Sequence, residues 1–450
     1  MHRLATIPGG WNPSTDGVIF VEQQPAPIVV ITAADTDIQT FAAAVTQLPT
    51  DFPELRVVNL LQLQQQLTID TYAEDVLAKA KVIIVRLIGG QSYWSYGLEV
   101  VQETALATGA TLIIIPGDER PDPTLISHST ASLALVNQVW QYFIEAGVEN
   151  YQNLLKFVAT QFLYHPTNYQ PPQPVPRIGI YADYPRGQSG VGIIFYRAHY
   201  LSGNTAVIDA LCQALVARNL TPIPIFVSSL KEPDVQSELI RYCRGVDVLL
   251  NTTSFSLASL ETDTPQVDLW ETLNVPVFQV VFSASTREVW EASIQGLTPR
   301  DMAMNIALPE VDGRIITRAV SFKAVQTQNT SLQTDVVVYE PEESRINFVA
   351  DLAAKWSKLR QTPIEERKVA LILANYPNRN GRLANGVGLD TPASCLEILK
   401  ALSLAGYNVG AIPETSDELM QVLTAGVTND PEWQGTMRQS LAVADYQSHF

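Results

Sequence analysis

Short apolar runs punctuate the chain and are bounded by turn-forming residues: Ile28–Thr32, Val82–Leu87, Arg177–Tyr181, Val246–Asn251, Val275–Phe282 and Val369–Ala374. Their length and their β-branched content predict buried strands. Three longer blocks share one pattern, in which a helix-like stretch closes on a small turn and leads into an apolar strand. They are Gly97–Gly109 into Thr111–Pro116, Ala206–Asn219 into Pro222–Val227, and Pro392–Gly406 into Asn408–Ile412. Gly109, Asn219 and Gly406 stand where a helix takes a left-handed C-terminal cap. Strands alternating with helices imply an α/β fold of multiple doubly wound, mainly parallel sheets with helices on both faces.

The segment Tyr169–Pro176 carries four prolines in eight residues and breaks this pattern. Proline fixes φ and removes a donor, so the segment excludes helix and central strand and reads as a stiff linker. The expected organisation is an N-terminal α/β domain over residues 1–168, the linker at 169–176, a second α/β domain over 177–360, and the start of a third over 361–450. Within the second, residues 308–339 lose the helical pattern and read as hairpin-like excursions, with Asp312-Gly313 as a turn signal. The third shows one βα unit, which cannot bury both faces of a sheet, and is expected to be incomplete.

Composition narrows the function. The 450 residues are 46% hydrophobic and 17% charged, the balance of a folded globular protein. A formal net charge of −17 opposes nucleic acid or an anionic membrane as partner, since both repel an acidic surface. No apolar run reaches the ~18 residues of a membrane span, and Met1-His2-Arg3-Leu4 does not open a secretory signal. Cys212, Cys243 and Cys395 lack paired spacing and read as small buried hydrophobes of a cytoplasmic protein, not as a disulfide framework or zinc site. No G-x-x-x-x-G-K-[ST] occurs, which argues against a P-loop ATPase. Gly386-Val387-Gly388-Leu389-Asp390-Thr391 has two glycines of a dinucleotide fingerprint but threonine in place of the third, and reads as a structural turn. None of the five histidines has a second at ligand spacing, so the metal ligands are unknown.

Ligands of parallel α/β sheets gather beyond the carboxyl ends of the strands, and five such loops stand out. Ala33-Ala34-Asp35-Thr36-Asp37 follows the first strand, with Asp35 or Thr36 expected to cap the next helix. Gly89-Gly90 allows close backbone approach, and Tyr93, Trp94 and Tyr96 either stack on a flat ring or form a packed lid or a domain contact. Pro116–Pro123 is a stiff charged turn. In Phe195–Tyr200, Arg197 and His199 lie two apart and would share a face in extended backbone. There Arg197 would clamp a carboxylate, while His199 is either a catalytic imidazole or a core histidine. The loop from Asn375 to Pro392 carries Asn378, Arg379, Arg382 and Asn385 and suits a rigid polyanionic ligand or a protein interface, with Thr391 as N-cap and Pro392 in the first turn.

Tyr376–Ser394, YPNRNGRLANGVGLDTPAS, closely resembles the corresponding segment of CobN-type cobaltochelatase large subunits; the large (H) subunits of magnesium chelatase have a more divergent version. MHRLATIPGGW at the start, AADTD at Ala33–Asp37, RLIGGQSYWSYG at Arg86–Gly97, PGDERPDP at Pro116–Pro123, FYRAHYLSGNTAVIDAL at Phe195–Leu211 and ALPEVDGRI at Ala307–Ile315 are similar to the same family in the same order. The resemblance implies a longer large subunit that binds a corrin-type tetrapyrrole, hydrogenobyrinic acid a,c-diamide. It further implies an AAA+ ATPase subunit and its accessory subunit as partners, with Co(II) as the substrate metal and ATP used by the partners rather than bound here. His199 is then the catalytic candidate, and Arg197, Arg379, Arg382, Tyr93, Trp94, Tyr96, Asn378 and Asn385 are the ring-binding candidates. A magnesium chelatase subunit acting on protoporphyrin, or a non-catalytic scaffold, are the alternatives. The family's later HGxLEWLPGK-like segment does not occur before Phe450, so this chain is expected to be the front portion of that architecture and inactive alone.

Overall fold

The computed structural model describes residues 19–185, 187, 189–258, 267–374, 383–427, 436–437 and 440–449. The chain divides into two compact units, residues 1–357 and 358–450. The first contains two open sheets. β1 (Ile28–Thr32), β2 (Leu55–Asn59), β3 (Val82–Leu87) and β4 (Thr111–Pro116) form a wholly parallel sheet in the order β2-β1-β3-β4. Around it run α1 (Asp35–Val45), α2 (Gln66–Asp75), α3 (Ser95–Thr108), the short α4 (Pro123–Ile126), α5 (Leu133–Glu145) and α6 (Val148–Phe162). Successive strand side chains point to opposite faces, and here both faces are covered. Ile28, Val30 and Ile84 pack on Phe41, Phe143 and Tyr151 of α1, α5 and α6. Val29, Ile31 and Val85 pack on Ile69 and Leu98 of α2 and α3. This double burial explains the unbroken apolar runs.

The second sheet has the order β11-β10-β9-β8-β6-β7-β5. Its strands are β5 (Ile178–Ile180), β6 (Gly190–Tyr196), β7 (Thr221–Val227), β8 (Val246–Asn251), β9 (Val277–Phe282), β10 (Ile315–Asn329) and β11 (Thr334–Pro341). The interior pairs are parallel, while β5 and β11 run antiparallel at the two edges. The hairpin expected between 308 and 339 is the β10–β11 pair, whose tight connection lies after Asn329. α7 (Arg197–Ser202), α8 (Ala206–Val216), α9 (Pro233–Tyr242), α10 (Asp268–Leu273) and the long helix Glu343–Gln361 flank the sheet. Ile193 and Phe195 meet Leu211 and Val349 on one face, and Ile194 and Leu249 meet Leu239 and Trp270 on the other. Pro222 and Pro224 fit inside β7 because that register position faces the β5 edge. There the Pro224 carbonyl accepts from Tyr181, and no ladder donor toward β6 is lost.

Two strands escaped the pattern. β2 is short, and β6 opens with Gly190-Val191-Gly192, which reads as a turn. A Cβ on Gly192 would stand 2.5 Å from Leu249 Cδ2, so glycine there is a packing requirement of a central strand. Two expected strands do not form: Val369–Ala374 and Asn408–Ile412 carry no sheet pairing in the second unit. A strand needs hydrogen-bonded neighbours and a covered face, and Ile372 is 93% exposed. The helices Thr391–Leu404 and Ser416–Thr424 of that unit pack through Cys395, Leu396 and Leu419. Asp390, not Thr391, is the N-cap of the first, its carboxylate accepting from the Ala393 N–H. Gly109, Asn219 and Gly406 adopt the expected left-handed φ. The proline segment is laid against α5 and α6. The Asn150 side chain both donates to and accepts from the Gln173 main chain, and Asn153 accepts from the Gln170 N–H.

Candidate functional site

The loops leaving β1 and β6 meet at one cavity. Asp35 opens α1, yet its carboxylate does not cap the helix; the N-cap, Ala34, makes no side-chain cap bond. Instead Asp35 Oδ2 accepts from Lys323 Nζ of β10 at 2.5 Å. Lys323 lies across from Tyr339 on β11, its ammonium 5.8 Å from that ring. His199 of α7 packs its imidazole against Phe282 and Tyr339, with centroids 6.0 and 5.6 Å away. Asp35, Gln39, His199, Asn204, Lys323 and Tyr339 line this small cavity. Gln39, Asn204, Val338 and Tyr339 also line a neighbouring cleft of about 500 Å³ between α1, the Ser202–Ala206 turn and the hairpin. Burial pushes the Asp35 carboxyl up, and the Lys323 charge only partly offsets this.

Two residues further along α1, Asp37 does something different. Its Oδ1 accepts from Arg86 at 2.5 Å and from the Tyr151 hydroxyl at 2.6 Å, and its Oδ2 accepts from Thr32 at 2.6 Å. Arg86 also donates to the Gly117 carbonyl, tying the ends of β1, β3 and β4 together. A third buried cluster closes the ends of β8 and β9. Asp312 accepts from Ser256 Oγ, from the N–H groups of Leu257 and Ala258, and from Arg314. Arg314 also reaches Gln279, which is bonded to Asn251. Burial pushes the Asp312 carboxyl up, but the Ser256 and Leu257 bonds and the Arg314 charge outweigh it and hold the group below the usual carboxylate range.

Of the catalytic and ring-binding candidates named from sequence, only His199 reaches the cavity; Asp35 and Thr36, read there as helix caps, line it too. Arg197 shares α7 with it, and in a helix two residues apart point to different sides, so the common face expected for extended backbone does not exist. The Arg197 guanidinium donates to the carbonyls of Ile144, Glu145, Val175 and Pro176, which makes it a latch between α5 and the proline segment. Trp94 is a core residue whose Nε1 donates to Leu63, and a Cβ on Gly97 would collide with its ring at 2.0 Å. Tyr96 donates to Asp70 at 2.8 Å, and Tyr93 sits exposed over Gly89. None of the three lines the cleft. Asn385 is exposed in the second unit; Asn378, Arg379 and Arg382 lie outside the described residues. Lys323 and Gln39 were missed, because neither periodicity nor motif marks a hairpin lysine that meets a helix nearly three hundred residues away in sequence, whereas Asn204 falls in the FYRAHYLSGNTAVIDAL stretch without having been singled out. Asp312 and Arg314 left a signal, since both fall in the ALPEVDGRI stretch. Among the described residues no group of three or more His, Cys, Asp or Glu is placed to hold a metal ion. No helix among them is long and apolar enough to cross a membrane.

Open, mainly parallel sheets covered by helices place the chain among the doubly wound α/β proteins. The family model described as CobN/Magnesium Chelatase matches residues 140–450, and the chain belongs to that family. It is 40% identical over its whole length to the aerobic cobaltochelatase subunit CobN of Pseudomonas aeruginosa and 39% identical to that of Sinorhizobium sp., covering 37% of each. It is 28% identical to the large (H) subunit of magnesium chelatase from Rhodobacter capsulatus over 52% of this chain and 21% of that protein. The catalytic subunit of cobaltochelatase from Mycobacterium tuberculosis is structurally similar, with a TM-score of 0.62 and 28% identity over 89% of this chain and 33% of that one. The chain thus spans little more than a third of the length of the curated relatives it matches first.

Proposed function

We propose that this chain is the corrin-ring-binding part of a cytoplasmic, ATP-dependent cobaltochelatase, and that the ring occupies the cleft between α1 and the hairpin. The observation that carries the reading is the 40% identity to a CobN subunit along the entire chain, against 28% over half of it for the magnesium-chelatase relative. The cleft supports it, since about 500 Å³ falls within the ~300–1,000 Å³ of small-molecule sites. The substrate is hydrogenobyrinic acid a,c-diamide and the inserted metal Co(II). ATP acts through an AAA+ ATPase subunit and its accessory subunit. His199, in the wall of the small cavity beside the cleft, is the catalytic candidate, an imidazole being suited to proton transfer near neutral pH.

Absorbance titration of the chain with the a,c-diamide tests this reading. Saturable binding is expected, and Ala43→Trp, which fills the cleft from the outer face of α1, should abolish it without moving the melting temperature. Equal binding by the variant overturns the cleft assignment, and no binding by either protein overturns the reading itself.

A further inference from the structure

We propose that the closed end of the cleft is a carboxamide pocket, which reads whether a side chain of the bound ring ends in an amide or in an acid. The inference rests on the reading of the cleft as the ring site. Asp35 Oδ1 and Gln39 Oε1 are buried acceptors without a hydrogen-bond partner among the described residues. They stand one turn apart on α1, 8% and 6% exposed, and both residues line the small cavity of about 10 Å³. The Gln39 assignment is secured by its amide nitrogen, which donates to the Val337 carbonyl at 2.5 Å; the flipped amide would set two carbonyl oxygens face to face. Helix α1 therefore carries two acceptors, one turn apart beside the cavity, that receive no hydrogen bond from the described residues. Buried polar groups are almost always paired, so such an arrangement points to a donor supplied by a ligand.

The chemistry of that donor follows from the third group. Lys323 gives one hydrogen to Asp35 Oδ2 and keeps others, and it lines the same cavity. Two acceptors beside one donor match a primary carboxamide: its NH₂ supplies two hydrogens from a single nitrogen, and its oxygen accepts from the ammonium. A carboxylate brings no hydrogen and meets the Asp35 and Gln39 oxygens. An alkylammonium or a metal cation meets Lys323. The cavity alone has about the volume of one water, which would occupy it until an amide displaces it. Since it shares Gln39, Asn204, Val338 and Tyr339 with the larger cleft, a ring held there can direct a side chain inward.

The experiment compares binding of the corrin-type ring in its amidated and its carboxylate forms by absorbance titration, with melting temperatures recorded for each variant. Wild type should prefer the amidated form by about tenfold, the worth of roughly one buried hydrogen bond. Gln39→Leu keeps the shape, removes one acceptor and should bring the preference below about threefold by weakening only the amidated form. Asp35→Asn, which introduces a donor, should strengthen the carboxylate form. Equal affinities in wild type, or a preference unchanged in both variants, overturns the proposal. Saturation-transfer NMR with propionamide and propionate tests the pocket without the ring. Transfer to propionamide alone, lost in Gln39→Leu, supports the pocket even where neither ring form binds, and in that case only the ring reading falls. Equal transfer to both probes overturns the pocket.

Discussion

Asp35 and Asp37 lie two positions apart on one helix, and each faces a buried cation from a distant strand. Their surroundings differ in how fully the carboxylate is used. Asp37 has both oxygens taken, by Arg86, Tyr151 and Thr32, and the cluster stitches three strand ends together. Asp35 has one oxygen on Lys323 and the other without a partner among the described residues, beside a cavity that shares part of its lining with the cleft. A satisfied buried network specifies structure, whereas a half-satisfied one costs stability and is kept where a ligand completes it. Sequence shows two identical residues in one motif; only their partners separate a structural aspartate from a binding one.

The contrast can be attacked first at its structural side. Arg86→Met leaves Asp37 and the Gly117 carbonyl without their cation, and breaking a buried pair costs about 3–5 kcal/mol. Urea unfolding should show that loss with the cleft unaltered; a variant as stable as the parent would remove the distinction between the two aspartates. A smaller effect is expected at the third cluster. Asp312→Asn weakens bonds to Ser256, Leu257 and Arg314 and should cost about 1.5–3 kcal/mol, the range for hydrogen bonds to a charged group. Because the folded pKa of Asp312 lies below its unfolded value, its stabilisation is present above pH ~4 and lost as pH falls through the folded value. The acid limb of the stability profile should therefore flatten in the variant.

The smallest change is expected where the network is already incomplete. Lys323→Met should cost only about 1–2 kcal/mol at the acid end of the pH range, because Asp35 can take up a proton instead of remaining an uncompensated charge. The Asp35 pKa is raised on folding, so its favourable contribution is present at low pH and lost as pH rises through the folded value. Removing the lysine raises that pKa further. Stability of Lys323→Met should thus decline more steeply than that of the parent as pH rises above the ordinary carboxylate value of about 4. A parallel pair of profiles would show that the ammonium does not govern the carboxyl, and the comparison with Asp37 would lose its sharper half.

Much of the architecture was written in the local pattern. Both faces of β1, β3 and β4 are covered, so their residues had to be apolar without alternation, and the runs were readable as strands. The left-handed caps at Gly109, Asn219 and Gly406 were readable for an equally local reason, since few side chains tolerate positive φ. The family was evident in loop motifs whose order along the chain no local rule explains. Pairing was not readable. Whether Val369–Ala374 became a strand depended on a neighbour it did not find, and whether Gly190–Gly192 did so depended on Leu249 pressing against a missing Cβ. The site followed the same division. His199 was visible as a rare residue type after a strand, but Arg197 beside it was claimed by four carbonyls from the preceding elements. The groups that join His199 come from α1 and a hairpin nearly three hundred residues later, brought there because β1 and β10 belong to sheets of one unit. Side-chain type and backbone preference are properties of a residue and its near neighbours, so sequence determined them. Which oxygen stays without a hydrogen is a property of the assembled surroundings, and only the tertiary structure decided it.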